Sequence, residues 1–150
     1  MGVAKNKQGG FSLIEVLVAV VVLSVGLLGL AGLQTNSLRN NHSAYLRTQG
    51  AVLVGDIIER MRANYNAAVT GGRYNLAYAA SVTAAGCSTA CTDSQVAADD
   101  LARWRTYVEQ LPGGESQVNV TAAGVATVSV RWSDTRNSDN KLEYQMVTTL

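Results

Sequence analysis

The chain has 150 residues, 47% of them hydrophobic, and a net charge of +1, and its apolar residues crowd into the amino-terminal quarter. That length suits one domain of ordinary size, and near-neutral charge excludes a strongly basic nucleic-acid binder. Its two cysteines, Cys87 and Cys91, are local to one another. In an exported chain such a pair suggests a disulfide, whereas in a cytosolic enzyme it suggests a metal or redox site.

The chain begins MGVAKNKQGGFSLIEVLVAVVVLSVGLLGLAGLQ. Residues 16–33 hold no charge and one hydroxyl, Ser24, which meets the length of about 18 residues needed to cross a bilayer as a helix. Lys5 and Lys7 precede the run; the positive-inside tendency keeps them cytoplasmic and exports the carboxyl-terminal part of the chain. A secretory signal peptide fits poorly, because its apolar core is about 7–15 residues and ends at a small-residue cleavage site. Here the run is longer, no clean A-x-A site succeeds it, and one carboxylate, Glu15, stands at its start.

The helical pattern continues without proline to about Arg62. Leu46, Gly50, Leu53, Ile57 and Met61 share one face, while Arg47, Gln49, Asp56 and Arg60 take others. A helix from Phe11 to about Arg62 is roughly 75–80 Å long at its rise per residue, against about 30 Å of bilayer hydrocarbon. One half therefore spans, and the other projects as an amphipathic spine that must be covered. Gly26, Gly29 and Gly32 recur every third residue. Each costs about 1 kcal/mol relative to alanine, and together they read as a small-residue face for close helix approach.

The stretch GGFSLIEVLVAVVVLSVGLLGLAGLQ resembles the prepilin-type amino terminus of type IV pilins, minor pilins and type II secretion pseudopilins. The match is a basic leader ending in Gly10, then Phe11, then the acid Glu15 at the fifth mature position, then an apolar helix. The resemblance implies that a prepilin peptidase cuts between Gly10 and Phe11 and methylates the new Phe11 amine. It also implies a role for Glu15 in subunit assembly. A carboxylate at a membrane helix centre costs about 2.5–3.5 kcal/mol, less near the interface. In an assembly Glu15 can meet a neighbour's Phe11 ammonium, and charges about 4 Å apart gain roughly 4 kcal/mol at a dielectric near 20, before desolvation.

After Arg62 the composition turns to Gly, Ala, Ser, Thr and Asn through residue 94, a long irregular connection that carries Cys87 and Cys91. A bridge between them contributes roughly 2 kcal/mol by chain-entropy arithmetic. A metal site there lacks partners, because the one histidine, His42, belongs to the long helix. Residues 94–111 read as a second helix, capped by Thr92 or Asp93 and ended by Pro112, Gly113 and Gly114. Its stripe is Ala97, Leu101, Trp104, Val108 and Leu111, with Trp104 read as core; Asp99 and Asp100 diverge and read as a solvated face. Three strands come next, around Val118 and Val120, around Val128, Val130 and Trp132, and over residues 142–150, with the polar turn SDTRNSDNK before the last. The expected fold is α+β and type IV pilin-like: a long N-terminal helix packed on a small antiparallel sheet, with a second helix.

Within the family, GLLGLAGLQ, ERMRAN at residues 59–64 and LPGG at residues 111–114 are similar to minor pilins of the PilV, or pilus modification, type. The resemblance implies a cleaved cytoplasmic leader (1–10), a membrane and filament-core helix (11–33), an amphipathic helix (34–62) and a periplasmic head (63–150). It implies as partners the prepilin peptidase, other minor pilins, the major pilin, the inner-membrane pilus assembly machinery and the lipid bilayer. Its localisation is the inner membrane and then the pilus. No cofactor, metal or small-molecule substrate is expected, and no catalytic residue. A type II secretion pseudopilin is the alternative. A membrane-anchored periplasmic enzyme finds no motif in the chain. Nucleic-acid binding would rest on Arg60, Arg62, Arg73, Arg103 and Arg105.

Overall fold

The computed structural model describes residues 10, 12–78, 80–133 and 141–150. The leader to position 9, Phe11 and most of the SDTRNSDNK turn lie outside them. Six elements occur in order: α1 (Leu13–Ala63), α2 (Tyr65–Val69), α3 (Asp93–Val108), β1 (Glu115–Val120), β2 (Val125–Ser133) and β3 (Lys141–Thr149). They divide into two compact units, Met1–His42 and Ser43–Leu150.

The first unit is the leading half of α1. Its apolar side chains find no cover: Leu13 is 80% exposed and Leu28 74%. It contains a helical window long and apolar enough to cross a membrane, none of it buried. The hydroxyls that interrupt it are satisfied by the helix itself. Ser24 donates to the Val20 carbonyl at 2.7 Å and Thr35 to that of Ala31 at 3.0 Å, so neither leaves an unpaired donor in an apolar medium.

The second unit is built on the rest of α1. Leu46, Gly50, Val54, Ile57, Ile58 and Met61 are its buried residues. The face expected at Leu53 is therefore centred on Val54 and Ile58, while Leu53 stands at its rim, only partly buried. There the Leu53 carbonyl accepts the Trp104 indole N–H at 2.8 Å, which ties α3 to α1.

β1, β2 and β3 form an antiparallel meander in that order, with Val118 opposite Val128 and Trp132 opposite Leu142. Ala126, Val128, Val130 and Trp132 alternate along β2 and are all buried, as a strand with one face on a core requires. Gly50 is where sheet and helix meet most closely. A Cβ on it would lie 2.7 Å from the Trp132 ring, so only glycine lets the indole lie against α1.

α3 begins at Thr92, whose hydroxyl and Gln95 form a capping box, with Thr92 rather than Asp93 in the capping position. It closes at Val108, short of the expected Leu111. The chain then turns, Leu111 N–H bonding the Val108 carbonyl at 3.0 Å, and Leu111 still reaches the core at 6% exposure. The connection after α1 is less irregular than its composition suggests. α2 forms within it, Ala67, Ala68, Tyr74 and Leu76 are buried, and Leu76 bridges to Val118.

Candidate assembly segment and supporting sites

Helix α1 starts two residues after Phe11. The Ser12 carbonyl accepts the Glu15 and Val16 N–H groups at 3.0 and 3.3 Å. Glu15 is thus an acid in the first turn, where the helix dipole favours negative charge. It is exposed, and beside it Val16, Ala19, Val20 and Leu23 line a shallow apolar depression. Gly10 is exposed. Phe11 lies outside the described residues. The candidate assembly segment is therefore a carboxylate at the head of an uncovered apolar helix, five residues after an exposed glycine.

Profiles of known families divide the chain at nearly the point where its apolar run ends. The prokaryotic N-terminal methylation motif matches residues 5–31. Type IV pilin Tt1218 matches residues 32–104. The chain is a type IV pilin-family protein. No curated protein and no solved structure matches it. Both family matches end before β1, so in this pilin the meander is known from its own structure.

Cys87 and Cys91 are joined by a disulfide, with Cα atoms 5.9 Å apart. Asp99, expected on a solvated face, instead accepts the Gly86 and Cys87 backbone N–H groups at 3.0 and 2.9 Å. One end of the bridged loop is held by that carboxylate, and the other runs directly into the Thr92 cap. Asp100 is likewise engaged. It accepts the Tyr74 hydroxyl at 2.6 Å and the Arg60 guanidinium at 3.0 Å, joining the connection, α1 and α3. Burial, reinforced by Asp100, raises the Tyr74 phenol above its ordinary value. Both departures have one cause: the partners are far away in sequence, so adjacency on α3 does not reveal them.

Of the arginines considered for nucleic acid, three are occupied within the pilin. Arg60 pairs with Asp56 and Asp100, Arg62 with Glu59, and Arg105 donates to the Tyr78 carbonyl at 2.6 Å. On the sheet, Glu115 joins Arg131, at 2.6 Å, to Lys141, which also donates to it, while the Arg131 guanidinium lies 3.7 Å from the Tyr78 ring centroid.

Two carboxylates are held below the usual range. Hydrogen bonds from the backbone N–H groups of Cys87 and Gly86 lower Asp99. The Lys141 ammonium, with Arg131, lowers Glu115. A depressed native pKa contributes stability above the unfolded value and loses it as pH falls through the native one. The melting temperature of the full chain in detergent is thus expected to be flat near neutral pH and to fall below about pH 4. In Asp99→Asn and Glu115→Gln chains the fall should be shallower. An unchanged acid slope in both would refute these assignments.

Proposed function

We propose that this pilin is a structural, non-catalytic minor pilin of the PilV type, anchored in the inner membrane with its head in the periplasm and then built into a type IV pilus. The observation that carries the reading is Glu15. An exposed acid in the first turn of an uncovered apolar helix costs energy in a lipid and loses that cost only against a cation. Cleavage after Gly10 supplies one, the methylated Phe11 amine of a neighbouring subunit. In this reading residues 1–10 are a leader, 11–33 the membrane and filament-core helix, 34–62 an amphipathic spine and 63–150 the head. Other minor pilins and the major pilin are its partners, the prepilin peptidase and the inner-membrane assembly machinery act on it, and pilus priming, twitching and adhesion depend on it indirectly.

The test is mass spectrometry of the chain recovered from membranes and from sheared pili. The mature form is expected to begin at Phe11 with a methylated amine. A Gly10→Leu chain is expected to stay at precursor mass and to be missing from pili. A mature end elsewhere, or full processing of Gly10→Leu, defeats the reading. A type II secretion pseudopilin shares the same amino terminus; deletion of the gene separates the two, since loss of pili with intact secretion supports the pilus role.

A further inference from the structure

One stretch of the head has no secondary structure of its own. Residues 81–91 belong to no helix or strand and form no main-chain-to-main-chain hydrogen bond among the described residues. Val82 packs partly against the core. Beyond it the segment is fixed at three points. The Gly86 and Cys87 N–H groups donate to the Asp99 carboxylate at 3.0 and 2.9 Å, the Cys87–Cys91 bridge closes the loop, and Cys91 runs into the Thr92 cap of α3.

Two of these points lie on one helix. Asp99 stands two turns beyond Thr92 along α3, about 10 Å at the helical rise. An extended chain from Cys87 to Cys91 spans up to about 13 Å, whereas the bridge holds their Cα atoms 5.9 Å apart. The backbone between them takes up the slack. Ala90 has a φ of +52°, the one non-glycine residue at positive φ among the described residues, and Gly86 has +67°. Alanine enters the left-handed region at a cost and stays there only where its surroundings over-determine the backbone. No helix or sheet ladder does so here, which leaves the bridge and the Asp99 contact.

We propose that residues 86–91 form a redox latch on α3, docked on Asp99 while the bridge is closed and released when it opens. Opening is a two-electron reduction. A dithiol's thiolate attacks one sulfur, and the dithiol's second thiol resolves the mixed disulfide. The protein's S–S bond breaks, one forms in the dithiol, and two cysteine thiols result. The open loop regains its extended reach, Ala90 leaves the left-handed region, and the Gly86 and Cys87 N–H groups no longer converge on one carboxylate. The change is local. None of residues 86–91 is buried, while Arg60–Asp100 and the Trp104 bond to the Leu53 carbonyl keep α3 on α1.

Coupling between two contacts is reciprocal. Whatever the bridge adds to docking on Asp99, docking adds to the bridge. Two variants therefore act in opposite directions. Asp99→Asn takes the charge out of the docked contact, which makes the bridge easier to reduce. Ala90→Gly removes the left-handed cost of the closed loop, which makes the bridge harder to reduce. The latch uses no contact with another subunit, so it stands apart from the pilus reading. An oxidising compartment keeps it closed.

The experiment equilibrates the full chain in detergent with mixtures of reduced and oxidised dithiothreitol. It measures the bridged fraction, by mass after thiol alkylation, and hydrogen exchange at single amides. On reduction, exchange at the Gly86 and Cys87 N–H groups is expected to quicken about tenfold or more, while that at Val128 and Val130 of β2 stays slow. The thiol-to-disulfide ratio at half reduction is expected to fall about tenfold in Asp99→Asn and to rise about threefold in Ala90→Gly. Slow β2 exchange in each oxidised variant shows that it is folded. Protection of Gly86 and Cys87 that survives reduction overturns the latch. So does loss of β2 protection on reduction, which makes the bridge a staple of the whole head. A midpoint that either variant leaves unmoved, or moves the other way, overturns the coupling and the latch with it.

Discussion

A Glu15→Ala chain is expected to be cleaved and methylated normally, and to enter pili at about a tenth of the normal level or less. The direction follows from the gain the residue makes at each stage. In the membrane the acid is a cost, so alanine improves insertion. In the proposed filament the same acid faces a neighbour's Phe11 ammonium. That attraction is roughly 4 kcal/mol near 4 Å at a dielectric of about 20, and even a third of it after desolvation is a tenfold change in equilibrium. Glu15→Gln keeps the shape without the charge and is expected to behave like alanine. Quantifying the chain in sheared pili against its level in membranes checks this. Normal incorporation of either variant ends the pairing account.

The largest loss of stability is expected from Gly114→Ala, at the turn between α3 and β1. A Cβ there would lie 1.9 Å from the Val108 carbonyl oxygen and 2.9 Å from its carbon. Both are main-chain atoms at the end of α3, so no side-chain rotation relieves the contact. Val108 is fully buried and its carbonyl also receives the Leu111 N–H, so moving it disturbs the α3 end and the Leu111 contact together. Forced overpacking of this kind costs about 3 kcal/mol or more, which lowers the melting temperature of a domain this size by about 10 °C or more. Gly55→Ala is the control. Beyond its own helix turn, no described residue comes within 4 Å of a Cβ on it, and alanine there should stabilise by up to about 1 kcal/mol. Equal melting temperatures for the two variants would refute the steric argument.

The long helix was legible because its signals are local. Apolar residues at helical spacing, no proline, and one acid behind two glycines need no distant partner to be read. The stripe of α3 was legible for the same reason, and all of Ala97, Leu101, Trp104, Val108 and Leu111 are buried. So were the strands of the meander, the middle one from period-two alternation at Val128, Val130 and Trp132. Other positions misled for physical reasons. Choosing Leu53 over Val54 comes from reading one face of a helix whose covered arc, including Ile58, is wider than one stripe. Reading Asp99 and Asp100 as solvated came from their neighbours on α3, whereas their partners are Gly86, Cys87, Tyr74 and Arg60.

Periodicity and charge placement along the chain determined that this protein has a membrane-length helix continued by an amphipathic one, a capped second helix and a small sheet. Those features arise from interactions among residues a few positions apart. Tertiary structure alone decided that Trp132 lies on Gly50 and that Asp100 joins three segments. Each of these depends on which distant backbone or ring comes within a few ångströms, and spacing along a chain carries no record of that distance.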